Sequence, residues 1–309
     1  MKVDLLSLGI FPANVLALNT SEFSCHSLED IERDETLRNA VRGIITRSNC
    51  KVPPDVIRGL PSLKIIATNG VGFDLIPVDV ATECGVIVTN TPDVLNATVA
   101  ELCVGSLLAL LRRIPQGDRF VRSGAWRTTA FPLATSLAGK RIGFVGLGRI
   151  GKEIASRLAP FGVEIAYFGR NDQRLDWAFV PDLHALARSC DVLILTMPGG
   201  QETARMIDAP VLEALGPDGY LLNIARGSVV DEEALIAALA SRSIAGAALD
   251  VFDKEPDIDP RFYELDNVVL TPHVGSATNE TRMAMARLTL DNLHSFFNTG
   301  RALTPVNEG

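Results

Sequence analysis

The apolar run Arg141-Ile142-Gly143-Phe144-Val145 passes directly into Gly146-Leu147-Gly148-Arg149-Ile150-Gly151 and then into Lys152–Leu158, a stretch of helical character. Few folds place glycines at this spacing between a strand and a helix. The first glycine permits a tight turn, the second lets the backbone approach a pyrophosphate, and the third lets helix and strand pack closely. The phosphates then lie at the positive end of the helix. A bare GxGxxG also occurs in turns that hold no ligand. The flanking strand and helix are what make Gly146, Leu147, Gly148, Arg149, Ile150 and Gly151 candidate dinucleotide-binding residues.

The following strand bears on which dinucleotide is bound. An acidic residue at its end would accept a hydrogen bond from the ribose 2'-hydroxyl of NAD, but Val163–Phe168 ends in Gly169-Arg170-Asn171. A guanidinium there pairs with a 2'-phosphate through two parallel hydrogen bonds, so Arg170 and Asn171 point to NADPH, although a solvated surface arginine would look the same in sequence. Asp172 lies close enough to keep NAD as a second cofactor.

The turn belongs to a longer rhythm. Arg141–Val145, Val163–Phe168, Asp191–Thr196, Tyr220–Ile224, Ile244–Leu249 and Asn267–Leu270 read as six strands separated by helical stretches, a doubly wound pattern. Before it, Asp4–Leu8, Gly43–Thr46, Leu63–Thr68 and Val86–Thr89 read as a first parallel series. Between the two, Thr98–Arg113 is apolar on nearly every face, so a helix there requires cover all round from both domains or from another subunit. The tail from Ala277 to Phe297 is again helical and is expected to pack back on the first series. The α/β chain is thus expected to hold two doubly wound parallel-sheet domains, a Rossmann-type cofactor domain (99–276) inserted into a substrate domain (1–98 and 277–309).

A net charge of −8 with no basic block argues against nucleic acid or an anionic membrane as partner. Met1–Thr20 has no basic region followed by an apolar stretch, so no secretory signal is read. The longest apolar run, Leu102–Leu111, is too short to span a bilayer. Five cysteines, odd in number and without a CxxC pair, fit reduced thiols in a cytoplasm rather than a disulfide framework or a zinc site, and no metal is expected.

Three polar residues fall just after strands of the second series, where open parallel sheets place their ligands. Arg226 follows Asn223-Ile224-Ala225, Glu255 follows Asp250-Val251-Phe252-Asp253-Lys254, and His273 follows Leu270-Thr271-Pro272. Reducing a keto acid takes a cation that holds the carboxylate and polarises the carbonyl, an acid that protonates the new alkoxide, and a partner that favours the protonated acid. Arginine, histidine and glutamate suit those roles in turn. Taken singly, each is more often a structural or solvated residue.

Taken together, these motifs resemble the D-2-hydroxyacid dehydrogenase family, and within it the NADPH-dependent glyoxylate/hydroxypyruvate reductase branch. The resemblance covers nearly the whole chain. It rests on Asn69-Gly70-Val71-Gly72-Phe73-Asp74, on Gly146–Gly151, on Asn223–Asp231 and on Gly246–Phe252 leading to Glu255-Pro256. Pro272-His273-Val274-Gly275-Ser276 completes it. It implies a flavodoxin-like substrate domain, Arg226, Glu255 and His273 as the catalytic set, and Val71 and Gly72, with Arg226 and His273, as substrate-binding residues. It also implies that Asp250 holds the nicotinamide carboxamide, that Ile224 and Ala225 are cofactor-binding residues, and that the chain is a homodimer joined through the cofactor domain, with Trp126 and Phe131 in the loop after its apolar helix. The expected activity is hydride transfer from NADPH to glyoxylate or hydroxypyruvate, giving glycolate or D-glycerate. Alternatives are a reductase of a larger 2-keto acid, aryl-pyruvate or 2-ketogluconate, and a nucleotide-sensing protein like the related co-repressors, which keep the catalytic set. One departure stands out: Met197-Pro198 is followed by Gly199-Gly200 where members often carry a polar or bulky residue.

Overall fold

A computed structural model describes residues 2–9 and 22–307. Most of Met1–Thr20, read above as carrying no secretory signal, lies outside the described residues. The chain divides into two compact units, Met1–Leu95 with Thr278–Gly309, and Asn96–Ala277 between them in sequence.

In the first unit, β1 (Val3–Ser7), β2 (Phe23–His26), β3 (Gly43–Arg47), β4 (Ile65–Asn69) and β5 (Ile87–Thr89) form a parallel sheet in the order β2-β1-β3-β4-β5. That order is the flavodoxin-like winding. Successive side chains of a strand alternate between faces, and here both faces are apolar. Leu6, Ile44, Ile66 and Val88 join one core, while Leu5, Ile65 and Ala67 join another with Leu293 of the C-terminal helix Asn279–Thr299. Each such fully buried leucine, isoleucine or valine contributes roughly 1.5–3 kcal/mol. The helix starts at Thr278, whose side chain accepts from Thr281 N, and ends at Gly300 in the left-handed region. The tail beyond it runs along β5, with Val306 N donating to Val88 O at 2.8 Å and Val88 N donating to Asn307 Oδ1 at 2.8 Å.

The second unit holds β6 (Arg141–Val145), β7 (Glu164–Phe168), β8 (Ala178–Phe179), β9 (Val192–Leu195), β10 (Tyr220–Asn223), β11 (Gly246–Leu249) and β12 (Val268–Leu270). All are parallel, in the order β12-β11-β10-β9-β6-β7-β8. Counted from β6, this is the Rossmann order with one further strand at an edge, and its switch point lies between β6 and β9.

Two strands escape the sequence reading. In β2 only Phe23 is buried, and β8 is two residues long and partly exposed, so neither carries an apolar run. The apolar helix also differs from expectation. It spans Asn96–Leu111, Arg113 then turns the chain through a left-handed conformation, and a second helix runs Ile114–Arg122. The buried residues Val99, Cys103, Leu107 and Leu110 recur at three- to four-residue spacing, a single stripe. Leu102, Val104 and Leu108 are only half-buried and Glu101 is exposed, so this chain alone does not cover the helix all round. Among the described residues no helix is long and apolar enough to cross a membrane.

Candidate active site

The carboxyl end of β6 leads into the glycine turn. Gly146 has φ +83°, and a Cβ there would stand 2.9 Å from the backbone of Met197, so conformation and space both require glycine. A Cβ on Gly151 would meet Thr196 Oγ1 at 2.8 Å and Gly146 O at 3.0 Å, which brings the helix Arg149–Leu158 close against the strands. Thr196 also donates its hydroxyl hydrogen to Gly146 O, bracing the turn from the neighbouring strand across the switch point. Gly148, the residue that caps this helix, faces open space on the side where a Cβ would lie. A pyrophosphate fits such a cradle: a helix N-terminus with its backbone N–H groups, no Cβ at Gly148 in the way, and positive partial charge. Arg170 and Asn171 are exposed just beyond the end of β7.

Arg226 lies beyond the end of β10. Asn223 shapes the turn, accepting from Ala225 N at 3.0 Å and donating to Arg226 O at 2.8 Å. The Arg226 guanidinium donates to Ala225 O at 2.7 Å. Next comes Gly227, where a Cβ would fall 1.9 Å from the carbonyl carbon of Phe252, so the Arg226 turn presses directly on the chain leaving β11.

That chain carries Asp250 and Glu255. Asp250 is 4% exposed, and its carboxylate accepts from Thr271 Oγ1 at 2.7 Å, Val274 N at 2.8 Å and Gly275 N at 2.9 Å. His273 N donates to Asp250 O at 2.9 Å. The whole loop bearing His273 therefore hangs on one aspartate, which holds His273 in a left-handed backbone (φ +52°), unusual for a residue with a Cβ. Three donors leave this carboxylate room for at most one more partner such as a carboxamide.

The decisive contact is between Glu255 and His273. His273 Nδ1 and Glu255 Oε2 are 2.6 Å apart, and Glu255 Oε1 accepts from Phe252 N at 3.0 Å. Burial pushes the Glu255 carboxyl up. The hydrogen bond and charge of His273, the Phe252 N–H and the Arg226 guanidinium outweigh it, and the group rests below its ordinary value. A carboxylate on Nδ1 fixes the proton there and leaves Nε2 as the ring nitrogen that can exchange a proton with another group. Arg226, Glu255 and His273, whose outer members lie 47 positions apart in sequence, thus act on one another.

In the first unit, Val71 and Gly72 follow β4. Gly70 has φ +150° and a Cβ there would collide with Ser48 at 2.5 Å; Gly70 N donates to Thr91 Oγ1 at 3.1 Å, and Asn90 Nδ2 to Val71 O at 2.8 Å. The backbone of this loop demands glycine at Gly70. The bracing roles of Thr271, Gly275 and Thr196 were not read from the sequence; for the two threonines, a polar residue at the end of a buried strand was the available signal.

Residues 104–275 match the family model described as D-isomer specific 2-hydroxyacid dehydrogenase, NAD binding domain. The chain belongs to the D-isomer-specific 2-hydroxyacid dehydrogenase family. Among its relatives is a 2-ketogluconate reductase of Gluconobacter oxydans, 46% identical over 92% of each chain. A glyoxylate/hydroxypyruvate reductase A of Arabidopsis thaliana is 44% identical over 88% of this chain and 87% of that one. Among solved structures, an NADPH-dependent glyoxylate/hydroxypyruvate reductase from Sinorhizobium meliloti, in complex with NADP and malonate, superposes with a TM-score of 0.94. It is 43% identical, with 99% of this chain and 97% of that one covered. Family membership makes the chain an oxidoreductase with the two parallel-sheet domains described above.

Proposed function

We propose that this protein reduces glyoxylate and hydroxypyruvate to glycolate and D-glycerate with NADPH, accepting NADH less well. The observation that carries the reading is the His273–Glu255 pair at 2.6 Å, with the Arg226 charge beside it, at the carboxyl edge of the sheet that bears the glycine turn. In this reading residues 99–276 work as the cofactor domain and residues 1–98 with 277–309 as the substrate domain.

When bound, the reduced dinucleotide supplies the hydride that enters the keto carbon. His273 Nε2 gives a proton to the carbonyl oxygen as it gains charge, and Glu255 stabilises the imidazolium before the transfer. Arg226 holds the substrate carboxylate and polarises the carbonyl; the backbone N–H groups at Val71 and Gly72 are assigned to substrate binding on the family resemblance. Gly146–Gly151 hold the pyrophosphate, Arg170 and Asn171 the 2'-phosphate. Ile224, Ala225 and the remaining acceptor capacity of Asp250 hold the nicotinamide end. The named activity of the Sinorhizobium meliloti and Arabidopsis thaliana relatives supports this choice of substrate and cofactor.

The 46% identity to a 2-ketogluconate reductase favours a second reading, a larger 2-keto acid as substrate. NADPH consumption with glyoxylate, hydroxypyruvate, 2-ketogluconate and phenylpyruvate separates the two. The first reading expects the highest kcat/KM for one of the two small acids; a clear lead for either larger acid replaces it with the second. No turnover with any of the four removes both. The protein is further proposed to be a cytoplasmic homodimer. Trp126 and Leu133, 69% and 98% exposed after the apolar helix, suit burial against a second copy, whereas Phe131 packs at a tilt against Phe120 and under Arg113 within its own chain.

A further inference from the structure

The segment that follows β7 is tied down by a buried hydroxyl. Tyr167 lies on β7 with no exposed surface, its ring packed on Phe179 at 5.4 Å. Its Oη donates to Asp172 Oδ1 at 2.8 Å and accepts from Gln173 N at 2.8 Å, which uses the one hydrogen and one lone pair of the hydroxyl. Asp172 Oδ1 also accepts from Arg174 N at 2.8 Å, closing a turn in which Arg174 adopts φ +53°.

The same segment is fastened at both ends to the glycine turn. Gly146 N donates to Phe168 O at 2.9 Å, and Gln173 Nε2 donates to Leu147 O at 2.9 Å. Between these ties only Gly169, Arg170 and Asn171 remain to shape a surface. Asp172, the one carboxylate in the stretch, has an oxygen committed to Tyr167 and to Arg174 N, which turns it back toward the strand.

We propose that Tyr167 is a positioning residue that determines dinucleotide specificity: its hydroxyl fixes Asp172 and Gln173, and thereby the three-residue turn on which Arg170 meets the 2'-phosphate of NADPH. The proposal rests on the assignment of Arg170 to that phosphate. A phosphate contact by a guanidinium is directional, so it depends on a turn whose ends do not move. NADH, which has no 2'-phosphate, has no such contact to lose when the turn shifts.

The test is the ratio of kcat/KM for NADPH to that for NADH, with glyoxylate as acceptor, together with the melting temperature. Tyr167→Phe keeps the ring and removes only the hydroxyl. This variant and Asp172→Ala should each lower the ratio by about tenfold, the loss falling on KM for NADPH rather than on kcat. Asp172→Asn, whose amide oxygen accepts the same two hydrogen bonds, should hold the ratio within about twofold. A ratio unchanged in both Tyr167→Phe and Asp172→Ala, even with a lowered melting temperature, would reduce the hydroxyl to a structural brace and overturn the proposal. A ratio raised in both Asp172 variants would also overturn it, by showing that Asp172 serves the ribose through its charge. Arg170→Ala separates the two levels. A ratio that falls in Arg170→Ala but holds in Tyr167→Phe overturns the proposal alone, whereas a wild-type ratio in Arg170→Ala overturns the Arg170 assignment and the proposal with it.

Discussion

At Gly227 the backbone of one loop lies where a methyl group would have to go. Gly227→Ala forces a Cβ to within 1.9–2.0 Å of Phe252 backbone atoms, so one of two segments must move, and both carry residues proposed to be catalytic. Overpacking of this kind costs about 1–3 kcal/mol, and here it also displaces Arg226. The expected result is a lowered denaturation midpoint together with a loss of kcat/KM of at least about a hundredfold, since a shift of an ångström in a positioning group has that effect. A fall in stability with full activity would show that Arg226 is not held by this contact. Glu255 makes a second residue-scale prediction. Its carboxyl lies below its ordinary value of 4.5 in the folded protein, so its contribution to stability is complete above that value and is lost as pH falls through the folded one. Denaturant unfolding of wild type and Glu255→Gln should therefore show the largest gap near neutrality and a closing gap in acid. A gap independent of pH contradicts the ion pair with His273.

At the scale of elements, burial was legible and lateral bonding was not. β3, β4 and β9 are parallel strands covered on both faces, which is why Gly43–Thr46, Leu63–Thr68 and Asp191–Thr196 stand out as apolar runs. The same physics hides β2 and β8, whose edge positions demand little apolar character. The glycine turn could be read because Gly146 and Gly151 answer local steric needs that other residues cannot meet. Arg226 and His273 were visible as polar residues after strands, but their meeting with Glu255 is a matter of tertiary distance. The role of Asp250 was given by resemblance as a cofactor contact; its three hydrogen bonds to the His273 loop come from residues 21 to 25 positions away and leave no periodic trace. Two tests belong here. Gly146→Ala meets both a left-handed φ and a contact at 2.9 Å, so NADPH affinity, followed by nucleotide fluorescence, should fall at least about tenfold while the far-ultraviolet spectrum is kept. Asp250→Asn places an NH2 group among N–H donors and should lower kcat by about ten- to a hundredfold. If it raised only the KM for cofactor, Asp250 would hold the nicotinamide and not the loop.

At the scale of the whole molecule, the chain combines a flavodoxin-like unit and a Rossmann unit, and every titratable residue assigned to the chemistry lies in the second. His273, Glu255 and Arg226 all follow strands at the carboxyl edge of one sheet, the edge that also bears the glycine turn, so in the proposed mechanism the same strands position cofactor and acid. Assembly is tested by sedimentation: the wild type should run as a dimer of 33.2 kDa chains and Leu133→Asp as a monomer. A monomeric wild type would leave the exposed Leu133 and Trp126 without the proposed role. The chemistry itself is tested by following NADPH absorbance during glyoxylate reduction by wild type and His273→Ala, with nucleotide binding measured on both. The wild type should turn over and the variant should lose about two to four orders of magnitude in kcat while binding NADPH normally. Near-normal turnover by His273→Ala would mean that the proton comes from elsewhere, and the proposed mechanism would be wrong.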